Sequence, residues 1–193
     1  MWKKHQVMDG GKSPAGLDKG AEWGNNDPVT ESEKGALLPH TVVALVEDRP
    51  GVLARIVARW QERDFNIRSL AVGASEQPGL SRMTFVVEAS TDADEMVAEL
   101  RSLDEVRAIE DISAREFVSR ELALIRVSGD REMRKRLMDI VDIFGAKIID
   151  VSAGSMMIEV TGHENKINSL ARLLSDYDVV EMVRTGRVSM LRG

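Results

Sequence analysis

The chain of 193 residues contains no cysteine. Disulfides, thiolate nucleophiles and cysteine-ligated zinc or iron–sulfur centres are thereby excluded. Histidine is scarce: His5, His40 and His163 stand far apart, and Tyr177 is the only tyrosine. A Ser-His-Asp set has little to draw on, and neither a G-x-S-x-G elbow, a P-loop nor a G-x-G-x-x-G fingerprint occurs. The carboxylate pairs Asp92/Asp94 and Glu95/Glu99 read as a solvated helix face, because tuning a general acid and base apart needs a desolvated pocket. No catalytic residue and no metal ligand is assigned, so the chain is not expected to be catalytic by itself. Unbroken apolar runs fall far short of the ~20 residues that cross a bilayer. No apolar h-region follows Lys3-Lys4, which argues against export. A cytoplasmic protein without a membrane partner is expected. The net charge of −6, from 26 basic and 32 acidic side chains, announces no nucleic-acid partner either.

What is present is a core-forming composition, 43% hydrophobic, in which Val, Ile, Leu and Met must fill space that four Phe and one Tyr cannot. Residues 1–39 stand apart. They hold six of the 15 glycines and three of the five prolines without apolar periodicity, and so cannot bury enough surface to offset ordering entropy. They read as a flexible N-terminal extension in which Trp2 and Trp23 are possible docking points.

Residues 40–193 divide into two halves of one layout, 40–115 and 116–193. Thr41 to Val46 is a β-branched run closed by Asp48-Arg49-Pro50-Gly51, the signals of a buried strand followed by a helix start. Val52, Leu53, Ile56, Val57 and Trp60 recur at helical spacing. An extended stretch from Phe65 to Gly73, a Gln77-Pro78-Gly79 turn and the alternation Met83, Phe85, Val87 give two strands. A helix over Thr91–Leu103, capped by Thr91 or Asp92, and a strand over Val106–Ile112 complete the half. The second half repeats the order: strand Leu122–Val127, helix Arg131–Phe144, strands around Ile148–Val151 and Met156–Val160, a helix through Ile167–Leu174, and a last strand over Val179–Met190. The expected fold is α+β, two tandem ferredoxin-like βαββαβ domains. Units this small bury modest cores and leave sheet edges that invite pairing with a second copy.

The most informative stretch is Glu47-Asp48-Arg49-Pro50-Gly51-Val52-Leu53. A strand ends and a helix begins on glycine, so unpaired N–H groups and the helix dipole both favour an anion such as an α-carboxylate. Asp48 is placed to hold an ammonium nearby; carboxylate plus ammonium describes a free amino acid. Asn66-Ile67 is the second feature, a donor and acceptor beside an apolar wall suited to a branched side chain. Either stretch is also compatible with a plain turn and a plain helix end.

These residues carry a resemblance. The run His40 to Arg55 is similar to the opening of an ACT domain, a small module that binds amino acids. With Phe65-Asn66-Ile67-Arg68-Ser69-Leu70, Leu80-Ser81-Arg82-Met83-Thr84, Arg120 to Ile125, Lys147 to Val151 and Arg184 to Val188 following in order, residues 40–193 resemble the regulatory small subunits of acetolactate synthase. The resemblance implies an N-terminal ACT domain and a C-terminal ACT-like domain. It implies a separate catalytic subunit that carries thiamine diphosphate, magnesium and FAD, none of them in this chain. It further implies activation of that subunit and feedback inhibition by a branched-chain amino acid, with valine first, in branched-chain amino acid biosynthesis. The effector would sit in a homodimer of ACT domains, with Asp48, Gly51, Val52 and Leu53 from one copy and Asn66 and Ile67 from the other. Many relatives carry Asn where Asp48 stands. Two other readings stay open: an ACT-type sensor for a different enzyme, and a nucleic-acid module using the basic face Arg131, Arg134, Lys135 and Arg136.

Overall fold

A computed structural model describes residues 39–62, 65–88 and 93–193 of the chain. The expectations for Trp2 and Trp23 and for a Thr91 or Asp92 helix cap lie outside the described residues.

The first half runs β1 (Pro39–Glu47), α1 (Val52–Gln61), β2 (Asn66–Ala74), β3 (Leu80–Glu88), α2 (Ala93–Arg101) and β4 (Val106–Asp111). All its strand pairs are antiparallel, in the order β2-β3-β1-β4, so β2 and β4 form the edges. Alternation along β1 sends Val42, Ala44 and Val46 to the helix-covered face, where Met83, Phe85 and Val87 of β3 meet them. From α1, Val52, Ile56 and Trp60 supply the facing stripe at four-residue intervals. Trp60 closes this core edge-on against Phe85, with ring centroids 4.7 Å apart and planes at 75°. Its indole N–H donates to the Met96 carbonyl at 3.2 Å, so the one polar atom of the ring is not left unpaired.

The second half runs β5 (Phe117–Ser128), α3 (Arg131–Ile143), β6 (Lys147–Val151), β7 (Ser155–Gly162), α4 (Glu164–Leu174) and β8 (Asp178–Arg184), followed by β9 (Val188–Leu191). Its sheet has the corresponding order β6-β7-β5-β8. The core is aliphatic: Ile125, Val127, Ile158 and Val160 lie under Leu137 and Val141 of α3 and Ile167, Leu170 and Leu174 of α4. The doubled βαββαβ order expected from the sequence is therefore present, with a helical layer on one face of each sheet.

The end of the chain differs from the expectation. Val179–Met190 reads as one strand, but the structure breaks it at Thr185-Gly186-Arg187 into β8 and β9. Gly186 sits at φ +79, and a Cβ there would lie 2.7 Å from the Ser69 hydroxyl and 3.1 Å from the Leu70 carbonyl. Only glycine allows both the left-handed turn and this approach to β2. After the break, β9 leaves β8 and pairs antiparallel with the first four residues of β5, Phe117 opposite Leu191 and Arg120 opposite Val188. Residues of this ribbon lie over the face of the first sheet that bears no helices. Ser189, Met190 and Leu191 line a cavity with Val43, Leu45 and Arg82. Thr41, Thr84 and Val86 on that face are buried.

Candidate functional site

The turn between β1 and α1 has an open polar end. Gly51 occupies the N-cap position of α1 at φ 87, and no side chain among the described residues caps the helix. The first-turn amides of a helix have no partner within it, so here they point outward beside an exposed turn. The Asp48 amide donates to the Gly79 carbonyl at 2.9 Å, which ties the turn to the β2–β3 hairpin. The Asp48 carboxylate is exposed and has no hydrogen bond or ion pair among the described residues. Leu53 is 38% exposed beside it, whereas the Val52 side chain belongs to the core. Val52 can therefore reach a ligand only through its backbone.

Two cations missing from the sequence-based set flank this turn. Arg55 follows Gly51 by one helical turn, and its Nη1 lies 3.2 Å from where a Gly51 Cβ would stand. Arg55 also binds Glu105 at 2.6 Å, with Arg49 at 3.7 Å on the same carboxylate. The Glu105 amide, then the Arg55 and Arg49 guanidiniums, hold that carboxyl below the usual carboxylate range. Arg49 and Arg107 share Glu47 on the other side. The spacing from Gly51 to Arg55 was readable as a shared helix face; Glu105 arrives from the α2–β4 loop and was not.

Asn66 and Ile67 open β2 at the far end of α1, a helix of ten residues that spans about 15 Å. One chain thus does not bring the two groups together. The Asn66 amide donates to Glu88 at 3.1 Å, and Ile67 packs half-buried against the first core. Ala74, at the opposite end of β2, pairs with Ser81, and Ser81 pairs with Val46 just before the Gly51 turn. Antiparallel pairing of two β2 edges would place Asn66 of one copy at the turn end of the other.

The equivalent turn of the second half is closed. Asp130 caps α3, its carboxylate accepting from the Glu132 amide at 3.0 Å and the Met133 amide at 2.9 Å. Those two amides hold the Asp130 carboxyl low. An internal carboxylate fills the position left open at Gly51. On the same helix, Arg134 donates to the Ser152 and Ala153 carbonyls of the β6–β7 turn, so the basic face is partly engaged in holding the fold. Among the described residues, no group of His, Asp or Glu could hold a metal ion, and no helix is long and apolar enough to cross a membrane.

Comparison with known proteins agrees with this organisation half by half. A family profile described as "AHAS small subunit-like ACT domain" matches residues 43–108, and one described as "Small subunit of acetolactate synthase" matches residues 120–193. The acetolactate synthase small subunit of Mycolicibacterium smegmatis is 44% identical over 155 residues, 80% of this chain and 91% of that protein. The chain belongs to the acetolactate synthase small-subunit family. A probable acetolactate synthase small subunit of Archaeoglobus fulgidus is 43% identical over 157 residues, 81% of this chain and 98% of that one. The crystal structure of the Thermotoga maritima acetolactate synthase small subunit superimposes with a TM-score of 0.75 at 37% identity, covering 81% of this chain and 98% of that chain. The ACT fold of this small subunit and its regulatory class are thus established. A small subunit also implies a catalytic partner.

Proposed function

We propose that this small subunit activates the catalytic subunit of acetolactate synthase and confers feedback inhibition by a branched-chain amino acid, valine first, in the cytoplasm. The single observation that carries this reading is the uncapped Gly51 turn, with the unpaired Asp48 carboxylate on one side and the Arg55 guanidinium on the other. The helix amides and Arg55 suit an α-carboxylate, and Asp48 suits the α-ammonium. Asn66 and Ile67 of a second copy complete the enclosure when two β2 edges pair. Leu53 and Ile67 then supply the apolar walls. Two extra methyl groups favour valine over alanine by roughly 1.5 kcal/mol, about tenfold, so shape must exclude leucine.

Thiamine diphosphate, magnesium and FAD belong to the catalytic subunit in this reading; this chain supplies the effector site and the coupling. A site split between copies makes occupancy and dimer geometry interdependent, and inhibition follows if the effector prefers one arrangement by about 1–3 kcal/mol. The test is acetolactate formation by the reconstituted enzyme with valine, isoleucine and leucine in turn, alongside calorimetric titration of this chain. The expected result is stimulation on adding the chain, reversed by at least one effector that also gives heat. No heat with all three removes the site; no stimulation of the catalytic subunit removes the function.

A further inference from the structure

The two halves meet along a polar seam that begins at a candidate effector residue. Asn66 donates to one Glu88 oxygen at 3.1 Å, and the other Glu88 oxygen binds Arg68 Nη1 at 3.2 Å. Arg68 Nη2 then reaches across to Glu164, at the first turn of α4 in the second half, at 3.9 Å. The second Glu164 oxygen is held by Arg187 from the β8–β9 turn. Arg187 is anchored back on the first half: its amide donates to the Ser69 hydroxyl at 2.9 Å, and its Nη1 donates to the Thr41 hydroxyl at 3.3 Å. With its side chain only 14% exposed, Arg187 is a fixed post. Arg68, at 47%, is the movable member.

We propose that this chain of charges is the relay by which effector occupancy at Asn66 reaches the second half, with Arg68 and Glu164 as positioning residues. The proposal rests on the reading of Asn66 as an effector contact. The links differ in a way that gives the relay a direction. Glu88 is shared between the Asn66 amide and Arg68. A ligand that takes the Asn66 amide leaves Glu88 with Arg68 as its remaining partner, and the Arg68 guanidinium is drawn toward it. The 3.9 Å contact to Glu164, already beyond hydrogen-bond length, is the one that lengthens. Glu164 is then left to Arg187 and the nearby Arg184, and the α4 start loses its direct tie to the β2 edge, while the β8–β9 turn stays anchored on Ser69 and Thr41. Exposed ion pairs of this kind contribute little to stability, which suits a link that must open and close.

The test uses the full chain reconstituted with its catalytic subunit and the variant Glu164→Gln, which touches no candidate effector residue. Valine titration of the free variant is expected to give an affinity within about twofold of the unaltered chain. In the reconstituted enzyme the variant's link to Arg68 is already open, so activity without valine is expected to fall and the fold-inhibition that valine adds to shrink about fivefold or more, the lower end of typical allosteric coupling. Glu164→Asp keeps the charge and the Arg187 contact while shortening the reach to Arg68. It should fall between the two, and it serves as the test protein should Glu164→Gln not fold. Unchanged inhibition in both variants overturns the relay. Loss of binding together with inhibition also overturns it, because Glu164 would then be supporting the fold. Absence of valine binding by the unaltered chain removes the effector reading itself, and the relay with it.

Discussion

The two halves share one βαββαβ plan and differ most where the first strand hands over to the first helix. In the front half the helix starts on Gly51 with no side-chain cap among the described residues; in the back half Asp130 lays its own carboxylate across the first-turn amides. The cap residue is left-handed in the front half, at φ 87, and extended in the back half, at φ −77, where its side chain can reach the amides. Duplication alone does not make the two turns alike. One residue at the cap position separates a turn closed by its own side chain from the one proposed to take the effector. The cores differ as well: the front half is built around the Trp60–Phe85 pair, the back half around Ile, Leu and Val.

That contrast is open to attack by substitution. The largest expected effect is Trp60→Ala, which removes the centre of the front core and costs about 3–5 kcal/mol. Calorimetry should show the loss in the front half's transition with little change in the back half's; an equal shift of both would mean that the halves unfold as one unit. Next is Gly51→Asp, which gives the front turn the residue that closes the back one. Asp tolerates the left-handed conformation better than most side chains, and the neighbour it crowds is the end of the flexible Arg55. A competing carboxylate should remove charged hydrogen bonds worth about 1.5–3 kcal/mol, a ten- to hundred-fold loss of effector affinity in a calorimetric titration. Retained affinity would place the effector elsewhere.

A smaller effect concerns acid. Burial pushes the Asp111 carboxyl up, but the Ser113 hydroxyl, the Ser113 amide and His40 together outweigh it and leave the group low. A carboxyl lowered by folding contributes stability that is present above its unfolded value, near 4, and is lost as pH falls through the folded one. Melting temperatures taken from pH 6 down to pH 3 should therefore fall less steeply for Asp111→Asn than for the unaltered chain. The smallest effect is Ser189→Ala. The Ser189 hydroxyl is buried without a partner among the described residues, so its removal should leave stability unchanged or raise it by about 1 kcal/mol, as read from a denaturant midpoint.

The sequence carried the repeated order of elements, because hydrophobic period and turn residues are local signals. Ile56 and Trp60 announced their core positions by helical spacing, whereas the run Thr41–Val46 announced a buried strand without telling that Val42, Ala44 and Val46 face the core. The Asp48–Leu53 turn was legible for the same reason. The break at Gly186 was not: Val179–Met190 has strand composition throughout, and what divides it is the approach of Gly186 to Ser69 and Leu70, more than a hundred residues earlier. Glu105 beside Arg55, and Glu164 between Arg68 and Arg187, are likewise products of tertiary placement. Charged side chains on exposed faces look alike in a sequence, and only the fold tells which of them meet.

The twelve-residue β5 belongs to both parts of the molecule at once, its front end carrying β9 over the first sheet and its back end forming the middle of the second. Dissection of the protein into separately expressed pieces must reckon with this. A cut at the linker before Phe117 strips the roof from Thr41, Thr84 and Val86 and leaves the excised ACT piece with a sticky, newly wetted surface. Any such fragment that aggregates reports on the missing roof, and its behaviour is no guide to that of the intact front half.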